Sequence, residues 1–314
     1  MNNNLKKKIT NNYLPKADGI IKKDFNLSKL TWFKVGGNAE IFFIPKHRRD
    51  LINFLKNLNE SIPIKVLGAG SNILVRDGGI SGVVISLVKN FSKISYLKNQ
   101  KISVGAGVNC IKLSRISASR SLQGLEFFSG IPGTVGGAIR MNAGAYGNET
   151  SDILEKVVTV NRNGKVKEYS KKELKMSYRS ISLDKNEIIL QALLKCKECK
   201  KNIIQNNIKE LKRRREETQP IKLKTSGSTF KNPINFKAWK LIKESGCSNL
   251  KKGGAQVSSL HSNFLINNGV AKAKDVEDLG EIIITKVKKK FGIRLSWEIK
   301  IIGSNNKYRK HFNG

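Results

Sequence analysis

The chain has 314 residues, which allows two or three domains and an ample core. Its 59 Lys and Arg against 24 Asp and Glu leave a formal net charge of +35, which points first to polyanions: nucleic acid, an anionic membrane surface or a phosphorylated small molecule. A hydrophobic share of 39% excludes whole-chain disorder, 27 Gly without a triplet period exclude collagen, and no apolar run approaches the ~20 residues of a membrane span.

The N-terminal run MNNNLKKKITNNYLP is basic but has no apolar stretch and no small-residue cleavage site, so a cytoplasmic protein is expected. Residues 1–20 read as a polar segment, and loose packing is expected as far as residue 30. From Thr31 onward, short β-rich runs recur between glycines: Glu40–Ile44, Ile64–Leu67, Val83–Ser86, Ile102–Val104, Val157–Val160 and Ile188–Leu194. Helical patterns at Arg49–Leu58 and Asn109–Ser119 fall between them. The spacing predicts an α/β or α+β region to about residue 200.

Residues 202–217 form one predicted helix, with Ile204, Ile208 and Leu211 on one face and Lys212 to Arg215 pointing elsewhere. Pro220 stops it. A last unit follows, with a helix near Phe236–Glu244, a β-like segment near Ala255–Asn267 and a helix from about Asp275 to Lys290. That helix carries the stripe Val276, Leu279, Ile283 and Val287, and Gly292 suits the position after its end. A final strand is expected over Ser296–Ile302, and residues 304–314 read as a frayed tail.

Cys196 and Cys199 form a C-x-x-C, but Cys110 and Cys247 stand alone and His47, His261 and His311 supply no paired ligand. No metal site is expected. The four cysteines do not make a disulfide framework in a chain this long.

Two glycine clusters stand out. One is LGAGSN, Leu67 to Asn72, after an apolar run; the other is SGIPGTVGGAI, Ser129 to Ile139, followed by NAGAYG from Asn142. Glycine lets a ligand approach the backbone, and successive N–H groups in such turns bind phosphate. Ser71, Asn72 and Thr134 add side-chain donors. Neither cluster is a G-x-G-x-x-G at a strand–helix junction or a P-loop. Taken singly, each is equally a set of tight turns.

At these residues the sequence resembles a known family. TWFKVGGNAEIFFIP (31–45), LGAGSNILVRDGGISGVVI (67–85) and GLEFFSGIPGTVGGAIRMNAGAYGNE (124–149) are similar to the FAD-binding half of UDP-N-acetylenolpyruvoylglucosamine reductases, the MurB family. YRS (178–180), SGSTFKNP (226–233), GGAQVSSLHSNFLINNG (253–269) and WEIKIIG (297–303) continue the match in the family's order. The stretch from Arg179 to Ser228 is short, as in the shorter class without the insertion that carries a lid tyrosine.

The resemblance implies an α+β fold: two FAD-binding subdomains of the vanillyl-alcohol-oxidase (PCMH) type, 21–90 and 91–201, then a UDP-sugar-binding α+β domain, 202–303, and a tail. It implies FAD as cofactor and NADPH as hydride donor. The implied reaction turns the enolpyruvyl ether of UDP-N-acetylglucosamine into the lactyl ether of UDP-N-acetylmuramate, a peptidoglycan precursor. Hydride reaches C3 by way of FAD, and a proton must reach C2.

By the same resemblance, Ser228 is the proton donor, and Arg179 binds the substrate carboxylate and the charge growing on it. Glu298 sits in the last strand, opposite Trp297 and Ile299, as a partner of the enol(ate). Cofactor contacts fall on Gly68, Ala69, Gly70, Ser71, Asn72, Ser129, Gly130, Ile131, Pro132, Gly133, Thr134, Gly136, Gly137, Asn142 and Ala143. Substrate contacts fall on Tyr178, Lys231, Asn232 and His261. His261 is equally a satisfied structural histidine. A monomer is expected, with the UDP-sugar as partner and neither nucleic acid nor membrane insertion as its main business.

Two other readings compete. A different sugar or alcohol oxidase of the same fold often carries FAD covalently on His or Cys, and neither glycine block contains a His. A nucleic-acid-binding protein is suggested by the net charge and by Lys212–Arg215, but aromatics are only 7% and are not interleaved with the basic residues.

Overall fold

The computed structural model describes residues 14–308 and 310–312. Residues 1–13 of the expected polar segment, and 309, 313 and 314 of the tail, lie outside the described residues.

The first layer is a four-stranded sheet in the order Ile20–Asn26, Asn38–Ile44, Ile80–Ser86, Ile64–Leu67. Its first pair is antiparallel and the next two are parallel. The inner strands read NAEIFFI and ISGVVIS, the near-continuous apolar runs of strands covered on both faces. Helix α1, Arg48–Asn57, lies on this sheet through Leu51, Phe54 and Leu55. Phe54 stacks on Phe43 with ring centroids 4.1 Å apart. His47 starts the helix, its Nδ1 accepting from Asp50 N at 3.1 Å.

The second layer has five antiparallel strands in the order Val166–Ser170, Leu154–Val160, Ile188–Lys195, Lys101–Gly105, Ile94–Leu97. Its helices are α2, Cys110–Ser119, α3, Val135–Arg140, α4, Thr150–Ile153, and α5, Lys201–Thr218. Phe43, Phe54, Val83 and Ile85 from the first layer join Ile102, Val104, Val157 and Leu194 from the second in one core. Each such buried side chain contributes about 1.5–3 kcal/mol.

The last unit packs α6, Ala238–Glu244, and α7, Ala273–Phe291, on a sheet of Lys251–Lys252, Ala255–Val257 and Leu265–Asn267. Val276, Leu279, Ile283 and Val287 are fully buried, and Gly292 ends α7 at φ +70°. Phe33, Val35 and Leu74 reach into this second core from the N-terminal half. The chain then returns: Lys300–Ile302 pairs in parallel with Ile73–Val75.

Two expectations change. The final strand covers Lys300–Ile302 rather than Ser296–Ile302, with Trp297 making only an isolated bridge to Phe230. Glu298 N and Ile299 N both turn to the Thr229 carbonyl, at 2.8 and 3.4 Å, and this fork interrupts a regular ladder. Simple alternation therefore does not describe the surroundings of Glu298.

The tail expected to fray docks instead. Glu40 is 3% exposed, and a buried carboxylate needs partners. Phe312 N donates to its Oε1 at 2.8 Å, His311 N donates to the same oxygen, and Gly82 N donates to Oε2 at 2.7 Å. Phe312 itself is buried in the first core.

Candidate active site

A cavity of about 1240 Å³ lies where the two layers and the last unit meet. It is larger than the ~300–1,000 Å³ of an ordinary ligand pocket, so it has room for a dinucleotide and a second ligand. Both glycine clusters form its wall: Gly68 to Asn72 from one side, Gly130 to Thr134 with Gly136, Gly137 and Ala143 from the other. They face each other closely. A Cβ at Gly68 would sit 2.8 Å from Thr134 Oγ1, and one at Gly133 would sit 3.6 Å from Ser71 Oγ. Gly70 has φ +68° and would press a Cβ to 2.4 Å from the Leu30 carbonyl, so only glycine fits.

Ser129 and Asn142, expected as cofactor contacts, are not in the cavity wall. The Ser129 hydroxyl is buried without a hydrogen-bond partner beside that wall. Asn142 is fully buried; its Oδ1 accepts from Ser151 N at 2.9 Å and its Nδ2 donates to Ser177 O at 3.0 Å. Asn142 thus ties the second glycine segment to the turn that carries Arg179. The two uncharged backbone loops that face each other across the cavity fit the diphosphate of FAD.

Arg179, Ser228 and Glu298 all line this cavity. Arg179 sits in a tight turn, with Ser180 N donating to Ser177 O at 3.0 Å, and has φ +54°. Such a backbone costs a non-glycine residue about 1–2 kcal/mol, and the turn aims the guanidinium into the site. Arg179 Nε donates to Glu298 Oε1 at 2.7 Å, with side chains 17% and 14% exposed. Its Nη1 and Nη2 reach the carbonyls of Asn142 and Gly144 at 3.5 and 3.3 Å.

Ser228 follows Gly227, which has φ +81°, and lies half-buried between buried Ser226 and Thr229. The Thr229 carbonyl accepts from Glu298 N, so the backbone holds Ser228 and Glu298 side by side. Asn72 Nδ2 donates to Glu298 O at 3.3 Å, and Lys300 N donates to Asn72 O at 3.0 Å. The first glycine loop is thereby fastened to the segment that carries Glu298.

Tyr178, Lys231, Asn232 and His261 are absent from the cavity wall. Tyr178 is 48% exposed, lies 5.1 Å below the Arg179 guanidinium, and its hydroxyl accepts from Asn232 N at 3.4 Å. Asn232 Oδ1 accepts from Ala238 N at 3.0 Å, which fixes the entry to α6. His261 Nδ1 accepts from Asn263 N at 3.2 Å, and its ring meets Phe264 edge-on at 4.8 Å. Burial pushes its imidazole below the ordinary value.

Arg215 and Lys300 line the cavity and were not among the expected site residues. Arg215 does not point away with the other basic residues of its run. It stands four residues after Leu211, on the stripe of Ile204, Ile208 and Leu211, and i, i+4 spacing was the signal for it. Burial pushes both its guanidinium and the Lys300 ammonium down, and the charge of Lys231 adds to the effect on Lys300. Arg140 also lines the cavity, but it is a brace, donating to the carbonyls of Leu183 and Asp184 at 3.0 Å and to that of Glu187.

Residues 39–170 match the model of an FAD binding domain, and residues 219–302 match that of the UDP-N-acetylenolpyruvoylglucosamine reductase C-terminal domain. The chain is 48% identical over 290 residues to the UDP-N-acetylenolpyruvoylglucosamine reductase of Rickettsia massiliae (strain Mtu5), covering 92% of this chain and 98% of that one. It is 47% identical over 296 residues to that of Orientia tsutsugamushi (strain Ikeda), covering 93% and 98%. The crystal structure of the UDP-N-acetylenolpyruvylglucosamine reductase (MurB) from Thermus caldophilus superposes with a TM-score of 0.79 at 35% identity, over 90% of this chain and 99% of that one. Two facing glycine loops, the matched domains and this likeness along nearly the whole length lead to one conclusion: the chain belongs to the UDP-N-acetylenolpyruvoylglucosamine reductase family of FAD-dependent oxidoreductases.

Proposed function

We propose that this protein reduces UDP-N-acetylglucosamine enolpyruvate to UDP-N-acetylmuramate with NADPH, as a monomeric cytoplasmic enzyme of peptidoglycan precursor synthesis. The observation that carries the reading is the convergence of Arg179, Ser228 and Glu298 on the wall of one glycine-lined cavity. Residues 21–90 and 91–201 hold the cofactor, residues 202–303 hold the UDP-sugar, and the segment at Glu298 returns to close the site.

FAD, which the two glycine loops would hold, would supply the hydride chemistry between NADPH and C3 of the enolpyruvyl group. The protein supplies position, charge and a proton. Arg179 is held on one edge by Glu298, and its Nη1 and Nη2 each carry a second hydrogen for the substrate carboxylate. As hydride reaches C3, negative charge grows at C2 and spreads into that carboxylate, beside the guanidinium.

Ser228 then gives its hydroxyl proton to C2. A serine hydroxyl is a weak acid, but a carbanion-like C2 is a strong base, so placement on the correct face decides the transfer. Glu298, fixed beside Ser228 through Thr229, has its second carboxylate oxygen free to accept from an enol hydroxyl or a water. Arg215 and Lys300 provide positive charge for phosphates at the cavity wall. NADPH and the sugar use the cavity in turn.

Purified protein is expected to be yellow and to release FAD on denaturation. Anaerobic NADPH oxidation should run to a stoichiometric stop without UDP-N-acetylglucosamine enolpyruvate and turn over with it, giving parallel double-reciprocal plots. Continuous NADPH oxidation that ignores the enolpyruvate would contradict the proposal.

A further inference from the structure

The wall of the cavity farthest along the chain path from Glu298 is not used by the chemistry above. Strand Ile64–Leu67 runs into Gly68, the glycine loop runs on to Asn72, and Asn72 is bonded to the carbonyl of Glu298. This path orders the cavity into a reacting end, a phosphate cradle and a third stretch beside Ile64, which begins about 13 Å before the cradle at ~3.3 Å per strand residue. Cavity-lining Val66 in this strand is 47% exposed, an apolar surface that a flat ring can cover.

Arg162 lines the same cavity from the opposite layer. It lies in the turn between Leu154–Val160 and Val166–Ser170, which is stiffened by Asn161 Oδ1 accepting from Asn163 N and Lys165 N at 3.0 and 2.9 Å. Its Nη2 donates to the Asn59 carbonyl, so it bridges the two layers. Its Nε is buried and has no hydrogen-bond partner. Arg162 and Leu55 separate the main cavity from a side cavity of about 250 Å³ lined also by Leu58 and Glu60, which gives the guanidinium room to shift.

We propose that Arg162 binds the adenosine half of FAD and makes the protein prefer FAD to FMN. A guanidinium stacks on a flat aromatic ring and donates in its own plane, so one side chain can cover adenine and spend the orphaned Nε–H on an oxygen of the adjoining ribose. FMN lacks that half and gains nothing from Arg162.

The inference rests on the FAD reading, and the two fail differently. Deflavinated full-length protein, wild type and Arg162→Ala, is titrated with FAD and FMN by flavin fluorescence, with ADP as competitor. Wild type that takes up no FAD would overturn the FAD reading itself. With FAD bound by wild type, Arg162→Ala should weaken FAD and ADP about tenfold and FMN less than twofold; the flavin-free melting temperature falls with the lost bond to Asn59, and the titrations are run well below it. Unchanged FAD affinity, or equal weakening of FAD and FMN, would overturn the role of Arg162. Arg162→Lys, which keeps the charge without the planar fork, gives the same readout should the alanine variant fold poorly.

Discussion

Arg179 and Glu298 meet at 2.7 Å although 119 positions separate them in the chain. One comes from a strained turn of the second layer, the other from the segment that returns from the last unit. The pair closes the cavity across the join between them. Arg179→Lys keeps the charge but loses the fork, and Glu298→Gln keeps the shape but loses the charge. Each is expected to lower kcat on the order of 100-fold, while flavin content stays at the wild-type level. Steady-state assays and absorbance spectra check both; wild-type kcat in either variant would remove that residue from the chemistry.

The last unit is fastened to the first layer by neighbouring residues. Arg76 grips Glu277 through Nε and Nη2 at 2.9 and 2.6 Å, and Asp77 accepts from Ala273 N and Lys274 N at 2.9 Å each at the start of α7. Asp77→Ala should cost about 1 kcal/mol as a lost cap, and Asp77→Asn, with one accepting oxygen for two N–H donors, should restore only part of it. Arg76→Ala leaves a partly buried carboxylate unpaired and should cost about 1–2 kcal/mol. Denaturant melts of the three variants measure this, and equal stability of Asp77→Ala and wild type would contradict the cap.

Gly280 lies under Trp297, and a Cβ there would sit 2.0 Å from the indole. Gly280→Ala must displace the ring next to Glu298. The expected result is a loss of about 1–3 kcal/mol together with reduced kcat. Gly292→Ala, with φ +70° and nothing within 4 Å of the added carbon, should cost about 1–2 kcal/mol with kcat unchanged. Thermal melts and assays on the two variants separate packing near the site from simple backbone strain.

Much of this arrangement was legible in the sequence because it is local. The strand at Ile64–Leu67 begins and ends as expected, and the stripe from Val276 to Val287 is fully buried. The glycine clusters and the cavity-lining Arg179, Ser228 and Glu298 rest on residue types with a local signature or on family resemblance. What stayed hidden depends on distant partners. Glu40 gathers the tail, Thr229 breaks the final strand, and Asn232 spends its side chain on α6. Arg215 looked like one more basic residue of a charged run until its place on the Leu211 stripe brought it to the cavity.

His261 gives a pH signature. Its ordinary value is 6.5, and burial lowers it in the folded protein, opposed in part by a backbone hydrogen bond. Just below pH 6.5 the unfolded chain binds the proton and the folded protein does not, so stability must fall as pH falls from there toward the lowered value. His261→Gln should flatten that slope. Urea melts between pH 7.5 and about 5 in both proteins read it directly, and identical slopes would count against a half-buried neutral imidazole.

The proton donor is the centre of the account. In an anaerobic stopped-flow experiment with Ser228→Ala, NADPH should bleach the flavin absorbance at a rate within a few-fold of wild type. Subsequent addition of UDP-N-acetylglucosamine enolpyruvate should restore the colour at least about 1,000-fold more slowly than in wild type. Recovery at the wild-type rate would contradict proton donation by Ser228.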